Sequence, residues 1–161
     1  MAARSEAKLD FSCSATKAAA KSYLKWKSFV SLLETAANEV RAAELSGITN
    51  MKLGIVLMND EELLEMNREV LKHDFYTDIL TFEIERNKHE IEAELYLSLD
   101  RARENALQYK VTLRNELARL AIHGMLHLAG YDDKKPATKK KIREKEKFFL
   151  EYLQTERSIE Y

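Results

Sequence analysis

The chain has 161 residues, of which 45% are apolar and 33% are charged, and these values fit one globular domain spanning residues 1–161. No apolar run reaches the roughly 20 residues that a membrane-spanning helix needs, and no signal peptide is expected, because the basic N-terminus lacks an apolar stretch. The single cysteine, Cys13, cannot form an internal disulfide, which favours a reducing, cytoplasmic compartment. The composition therefore excludes a secreted, collagenous, disordered or transmembrane protein.

Charge is unevenly distributed along the chain, although the net charge is only −1. Residues 1–30 carry six basic and two acidic side chains. Residues 51–100 carry five basic and thirteen acidic side chains, and residues 134–161 carry nine basic and five acidic ones. Two basic ends thus flank an acidic middle, which allows a local basic face for a polyanion. Ordinary solvated helix surface is the alternative explanation of the same pattern.

Hydrophobic periodicity predicts a mixture of helices and strands. In chain order these are a strand at 9–14, a helix at 17–44, a strand at 51–58, a helix at 61–72 after an Asn59-Asp60 cap, strands at 77–84 and 91–98, and helices at 100–108, 113–129 and 137–153. The pattern indicates an α/β (α+β) fold with three consecutive helices at the C-terminal end.

The helix at 113–129 carries two histidines, His123 and His127, at i and i+4. This spacing puts both imidazoles on one helix face, where they can reach one metal ion. Gly130 can turn the chain back, so that Asp132 or Asp133 supplies a third ligand. Two core histidines without a metal remain the alternative. Gly124 follows the first histidine, so this is not the H-E-x-x-H motif of zinc peptidases.

The segment 123–133 reads H-G-M-L-H-L-A-G-Y-D-D and resembles the signature of the YbeY family, H-G-x-L-H-L-x-G-Y-D-H. T-D-I-L-T-F at 77–82 is similar to the family strand T-D-V-L-S-F, and A-E-L-Y-L-S at 93–98 is similar to G-D-I-x-I-S. Members of this family are metal-dependent endoribonucleases that mature ribosomal RNA in bacteria. The resemblance implies a mixed, mostly parallel small sheet packed by about five helices, with a metal site in a cleft at the C-terminal helices.

The resemblance also implies a ligand set for one zinc ion, namely His123, His127 and Asp133. Asp133 stands where the family has a third histidine. It either ligates the zinc ion, or it orients a water molecule while the metal is bound weakly or is a different, harder ion. The family arginine lies six residues before the strand threonine, where this chain has Leu71. Arg68, one helical turn earlier, or Lys72 is a candidate phosphate contact in its place, and Glu94 is a candidate acid behind the metal ligands.

The function implied is that of a single-strand-specific, metal-dependent endoribonuclease acting on the 3′ end of 16S rRNA in ribosome biogenesis and quality control. Its implied partners are RNA, the small ribosomal subunit with one of its proteins, and an Era-type GTPase, with no membrane or DNA partner. Lysines just past the signature are candidate contacts to the RNA backbone: Lys134, Lys135, Lys139, Lys140 and Lys141. A non-catalytic ribosome assembly factor with a structural or vestigial metal site is the alternative.

Overall fold

The structure is a computed structural model that describes residues 7–156, with six helices and four strands in this range. In chain order the elements are β1 (Lys8–Ala15), α1 (Ala19–Tyr23), α2 (Trp26–Glu44), β2 (Asn50–Met58), α3 (Asp60–Leu71), β3 (Ile79–Arg86), β4 (Glu90–Ser98), α4 (Leu99–Tyr109), α5 (Leu113–Leu128) and α6 (Pro136–Glu156). None of the helices in this range is long and apolar enough to cross a membrane.

The four strands form one mixed sheet in the order β1-β2-β4-β3. β1 pairs with β2 and β2 with β4 in parallel, whereas β3 pairs with β4 antiparallel. A short turn suffices for the antiparallel pair, while the parallel pairs need the crossovers that contain α1, α2 and α3. The α/β fold predicted from the sequence and its mostly parallel sheet are confirmed.

One face of the sheet is covered by the helices that form the main core. Leu53 of β2 and Leu95 of β4 are fully buried on this face, and the alternation along each strand sends their neighbours to the other face. α5 packs directly on this face, because a Cβ added at Gly124 would meet Ile79 Cδ1 at 2.8 Å and Leu95 Cδ2 at 2.9 Å. The helix that carries both signature histidines therefore lies against the sheet with its position fixed by packing.

The single helix predicted at 17–44 is wrong in one respect, because two helices occupy this stretch. Lys25 adopts a left-handed conformation with φ 52° and separates α1 from α2. Leu24, just before the break, is buried in the core. Helical periodicity on both sides of the break hid it from the sequence, since one residue of changed backbone leaves the hydrophobic pattern almost intact.

Candidate metal centre

The two histidines and Asp133 converge at the C-terminal end of α5. His123 Nε2 and His127 Nε2 are 2.9 Å apart. Asp133 Oδ2 lies 3.6 Å from His123 Nε2, and Asp133 Oδ1 lies 4.0 Å from His127 Nε2. One donor atom from each residue falls within 4.8 Å of the others. Two imidazole nitrogens and a carboxylate oxygen at these separations fit the donor set of a zinc site with an open position.

The end of α5 explains how Asp133 returns to the histidines. Gly130 has φ 99°, a conformation that a side chain rarely adopts, and its N–H donates to the carbonyl of His127 at 3.0 Å. The N–H of Tyr131 donates to the carbonyl of Leu126 at 3.0 Å, which completes the reversal. The chain therefore folds back over the last turn of the helix and carries Asp133 to the face of His123.

The structure distinguishes between the two aspartates that the sequence left open as third ligand. Asp132 Oδ1 accepts hydrogen bonds from the Lys134 N–H at 3.0 Å and the Thr138 hydroxyl at 2.8 Å. These bonds lower the pKa of Asp132 and tie its carboxylate to the start of α6. Asp133 alone of the pair faces the histidines.

His123 is held by a carboxylate that the sequence analysis missed. His123 Nδ1 and Glu146 Oε1 are 2.6 Å apart, and the Glu146 side chain, on α6, is only 5% exposed. A carboxylate at Nδ1 favours the tautomer that donates there and leaves Nε2 free to bind a metal. Glu146 stands in a stretch of alternating lysine and glutamate, so nothing in the local sequence distinguishes it from its exposed neighbours.

A buried ion network lies behind Glu146. Arg119 donates to Glu116 Oε1 at 2.6 Å and to Glu146 Oε1 at 3.4 Å. Burial alone would lower the pKa of the Arg119 guanidinium, but hydrogen bonding to Glu116 and the charges of both glutamates raise it instead. Asn105 donates to the other side of this network, to Glu116 at 3.1 Å. Each buried charge is therefore paired, and the Glu146 carboxylate is fixed on two sides.

His127 is the more exposed of the two histidines, yet its pKa is lowered. Burial is the largest cause, and the charge of His123 adds to it, while Asp133 acts in the opposite direction. A lowered pKa keeps the imidazole neutral near neutral pH, and the neutral form is the one that ligates a metal.

A cavity of about 190 Å³ opens beside the ligands. Its lining includes three carboxylates and three cations: Asp78, Asp133, Glu146, Arg119, Lys139 and Arg143. The position of Asp78 depends on tertiary contacts, since its carbonyl accepts the Ser98 N–H at 2.9 Å just before β3 begins. The cavity is polar and reaches His123, so it can admit a charged substrate to the candidate metal centre.

Two further site candidates from the sequence do not line this cavity. Arg68 lies on α3 with its side chain 55% exposed and forms an ion pair with Asp74. Glu94 accepts a hydrogen bond from the Tyr96 hydroxyl and is paired with Phe82 across β3 and β4, on the sheet face opposite Leu95. Since α5 packs against Leu95, the sheet separates Glu94 from the histidines. The roles suggested for Arg68 and Glu94 stay predictions.

The fold and the site together define an α/β protein with a two-histidine, one-carboxylate candidate metal centre at the end of its central helix. The family model described as endoribonuclease YbeY matches residues 14–154. The chain belongs to this family, and the membership predicted from the signature is confirmed.

Individual relatives agree with this assignment. The chain is 44% identical over 96 residues to the endoribonuclease YbeY of Cytophaga hutchinsonii, covering 60% of this chain and 67% of the relative. It is 40% identical over 126 residues to the endoribonuclease YbeY of Chlorobium phaeobacteroides, covering 77% of this chain and 88% of that relative. The solution structure of TM1509 from Thermotoga maritima is similar with a TM-score of 0.56 and 27% identity, covering 91% of this chain and 90% of that one.

Proposed function

We propose that this protein is a metal-dependent endoribonuclease that hydrolyses phosphodiester bonds of single-stranded RNA. The observation that supports the proposal most directly is the convergence of His123, His127 and Asp133 within 4.8 Å beside a polar cavity. Curated relatives at 34–44% identity carry the name endoribonuclease YbeY, which supports the reaction class. Three ligands favour a catalytic over a structural zinc site, because structural sites close with four.

In the proposed mechanism the three ligand residues would hold one zinc ion, which would supply an acidified water and a positive charge for a phosphate oxygen. His123 would be presented through Nε2 because Glu146 accepts from its Nδ1. Asp133 would contribute a negative oxygen where the family has a neutral imidazole. Its charge partly offsets that of the ion, so we expect a less acidic water than three histidines would give.

We also propose the substrate and the location that the family resemblance implies. The substrate would be ribosomal RNA, near the 3′ end of 16S rRNA, and the setting would be the bacterial cytoplasm during maturation of the small subunit. A small-subunit ribosomal protein and an Era-type GTPase are the candidate partners. The single cysteine, Cys13, supports a reducing compartment.

The test compares the zinc content and RNA cleavage of the untagged wild type with those of Asp133→Ala and His127→Ala. We expect about one zinc per wild-type chain, loss of zinc in Asp133→Ala, and loss of cleavage of a single-stranded RNA oligonucleotide in His127→Ala. His89→Ala is the matched control, because His89 is exposed in the turn between β3 and β4, far along the chain from the ligands.

Two outcomes would contradict the proposal. Cleavage unchanged in a folded His127→Ala variant would show that the candidate metal centre does not perform the reaction. A folded wild type that binds no stoichiometric metal and does not cleave RNA would favour the non-catalytic assembly factor instead.

A further inference from the structure

Two cations of α6 line the cavity together with the candidate metal ligands. Lys139 and Arg143 share this lining with His123 and Asp133. They stand at i and i+4, which places them on one face of the helix with their Cβ atoms about 6 Å apart. In the sequence Lys139 is one of five lysines just past the signature, and no local pattern distinguishes Arg143.

Neither side chain has an ionic partner within the described part of the chain, and this sets the pair apart from the third cation of the cavity. Arg119 is bound to Glu116 and Glu146. Among residues 7–154, whose side chains the structure describes, no carboxylate forms an ion pair with Lys139 or Arg143. Both side chains are exposed and thus free to bind an anion.

Their placement is unfavourable for the helix itself. Like charges at i and i+4 repel each other, and Lys139, the fourth residue of α6, also opposes the macrodipole at the helix N-terminus. The first turn of α6, which begins at Pro136, contains no acidic residue that would offset them. An anion bound between Lys139 and Arg143 would relieve both effects.

The charge of the cavity also favours an anion once a metal is bound. The three carboxylates and three cations of the lining cancel. A divalent ion at the candidate metal centre would therefore leave two positive charges in this confined space. Arginine binds phosphate through two parallel hydrogen bonds, and lysine binds it as a compact charge.

We propose that Lys139 and Arg143 bind a backbone phosphate of the RNA at the mouth of this cavity and hold the strand against the metal ligands. The inference rests on the proposed function for the identity of the strand. It assigns to α6 the phosphate contact that the sequence suggested for Arg68 on α3.

The test uses Lys139→Gln and Arg143→Gln in the zinc-loaded protein, with Lys147→Gln as the matched control. Lys147 is an exposed lysine on the same helix that does not line the cavity. For cleavage of a single-stranded RNA oligonucleotide, we expect each cavity variant to raise KM about ten-fold. The slope of log(kcat/KM) against log[KCl] should become shallower by about 0.7 for each cation removed.

A second readout needs no cleavage. Ten millimolar inorganic phosphate should raise the thermal midpoint of the zinc-loaded wild type and of Lys147→Gln, but not that of Arg143→Gln, because a ligand stabilises only a protein that binds it. If the wild type cleaves no RNA and still shows this phosphate effect, the proposed function fails and the phosphate site stands. The phosphate site is refuted if both cavity variants keep the wild-type KM and midpoint shift. It is also refuted if Lys147→Gln raises KM and reduces the midpoint shift as much as the cavity variants do.

Discussion

His123 has two different neighbours at its two ring nitrogens, and the difference defines its role. Nδ1 meets the buried Glu146 carboxylate at 2.6 Å, while Nε2 faces His127 and Asp133. Glu146 itself is fixed by Arg119, which Glu116 holds from the other side. Because the orienting carboxylate cannot turn away, the imidazole of His123 is held ready for a metal before any metal binds.

Replacement of Glu146 should therefore weaken metal binding without removing a ligand. We expect Glu146→Gln, which keeps the shape but not the charge, to lower zinc affinity about ten- to hundred-fold. Competition with a chelating dye measures this affinity, and Glu144→Gln on the exposed side of the same helix is the control. Equal affinities in the two variants would contradict a positioning role for Glu146.

The lowered pKa of His127 predicts how the metal-free protein responds to acid. Its pKa lies below the ordinary 6.5 in the folded state because burial and the charge of His123 disfavour the proton. The unfolded chain then binds the proton more readily, so stability is lost as pH falls through 6.5 and below. We expect the free energy of unfolding in urea, measured with a chelator present, to fall more between pH 8 and pH 5 for the wild type than for His127→Ala. An equal fall of this free energy in both proteins would refute the lowered pKa of His127.

At the scale of the element, α5 is positioned by its close approach to the sheet. Gly124 lies between the two histidines, and a Cβ there would come within 3 Å of Ile79 and Leu95. Close packing therefore explains the glycine at this position of the signature, because a larger residue would push the helix and both ligands away from the sheet.

We expect Gly124→Val to destabilise the protein by about 1–3 kcal/mol through overpacking. The measurement is the free energy of unfolding in urea, with zinc content as a second readout of displaced ligands. Gly47→Val is the control, because a Cβ at Gly47 meets no atom within 4 Å. A Gly124→Val protein as stable as the control would mean that α5 can shift freely on the sheet.

At the level of the whole molecule, one hydrophobic cluster joins the sheet to five of the six helices of the described structure, and only α3 contributes no residue to it. It includes Ala20 of α1, Leu53 of β2, Leu126 of α5 and Leu153 of α6. Since no boundary divides this core, we propose that the chain forms a single domain, as its length suggests.

A single domain of this size should unfold in one transition. Fluorescence of Trp26, which packs against the core in α2, should follow the same urea curve as the far-ultraviolet circular dichroism of all helices. Two separated midpoints would show that α2 or the C-terminal helices unfold as an independent unit.

Features that depend on local spacing were predictable from the sequence. The i, i+4 relation of His123 and His127 follows from helix geometry, and the turn after the helix follows from Gly130. Alternating and helical hydrophobic periods located the strands and most helices, because burial on one face repeats along each element. The signature that contains these residues also predicted the family.

Tertiary packing determines which distant side chains meet. It selects Asp133 rather than Asp132 as the third candidate ligand. It also brings Glu146 of α6 to His123, and Arg143 of α6 to the cavity that His123 lines. It also pairs Arg68 with Asp74 and places Glu94 on the sheet face opposite α5. Such contacts depend on how helices pack on the sheet, and in a chain with one-third charged residues no local pattern distinguishes the glutamate that meets a histidine from those that face water.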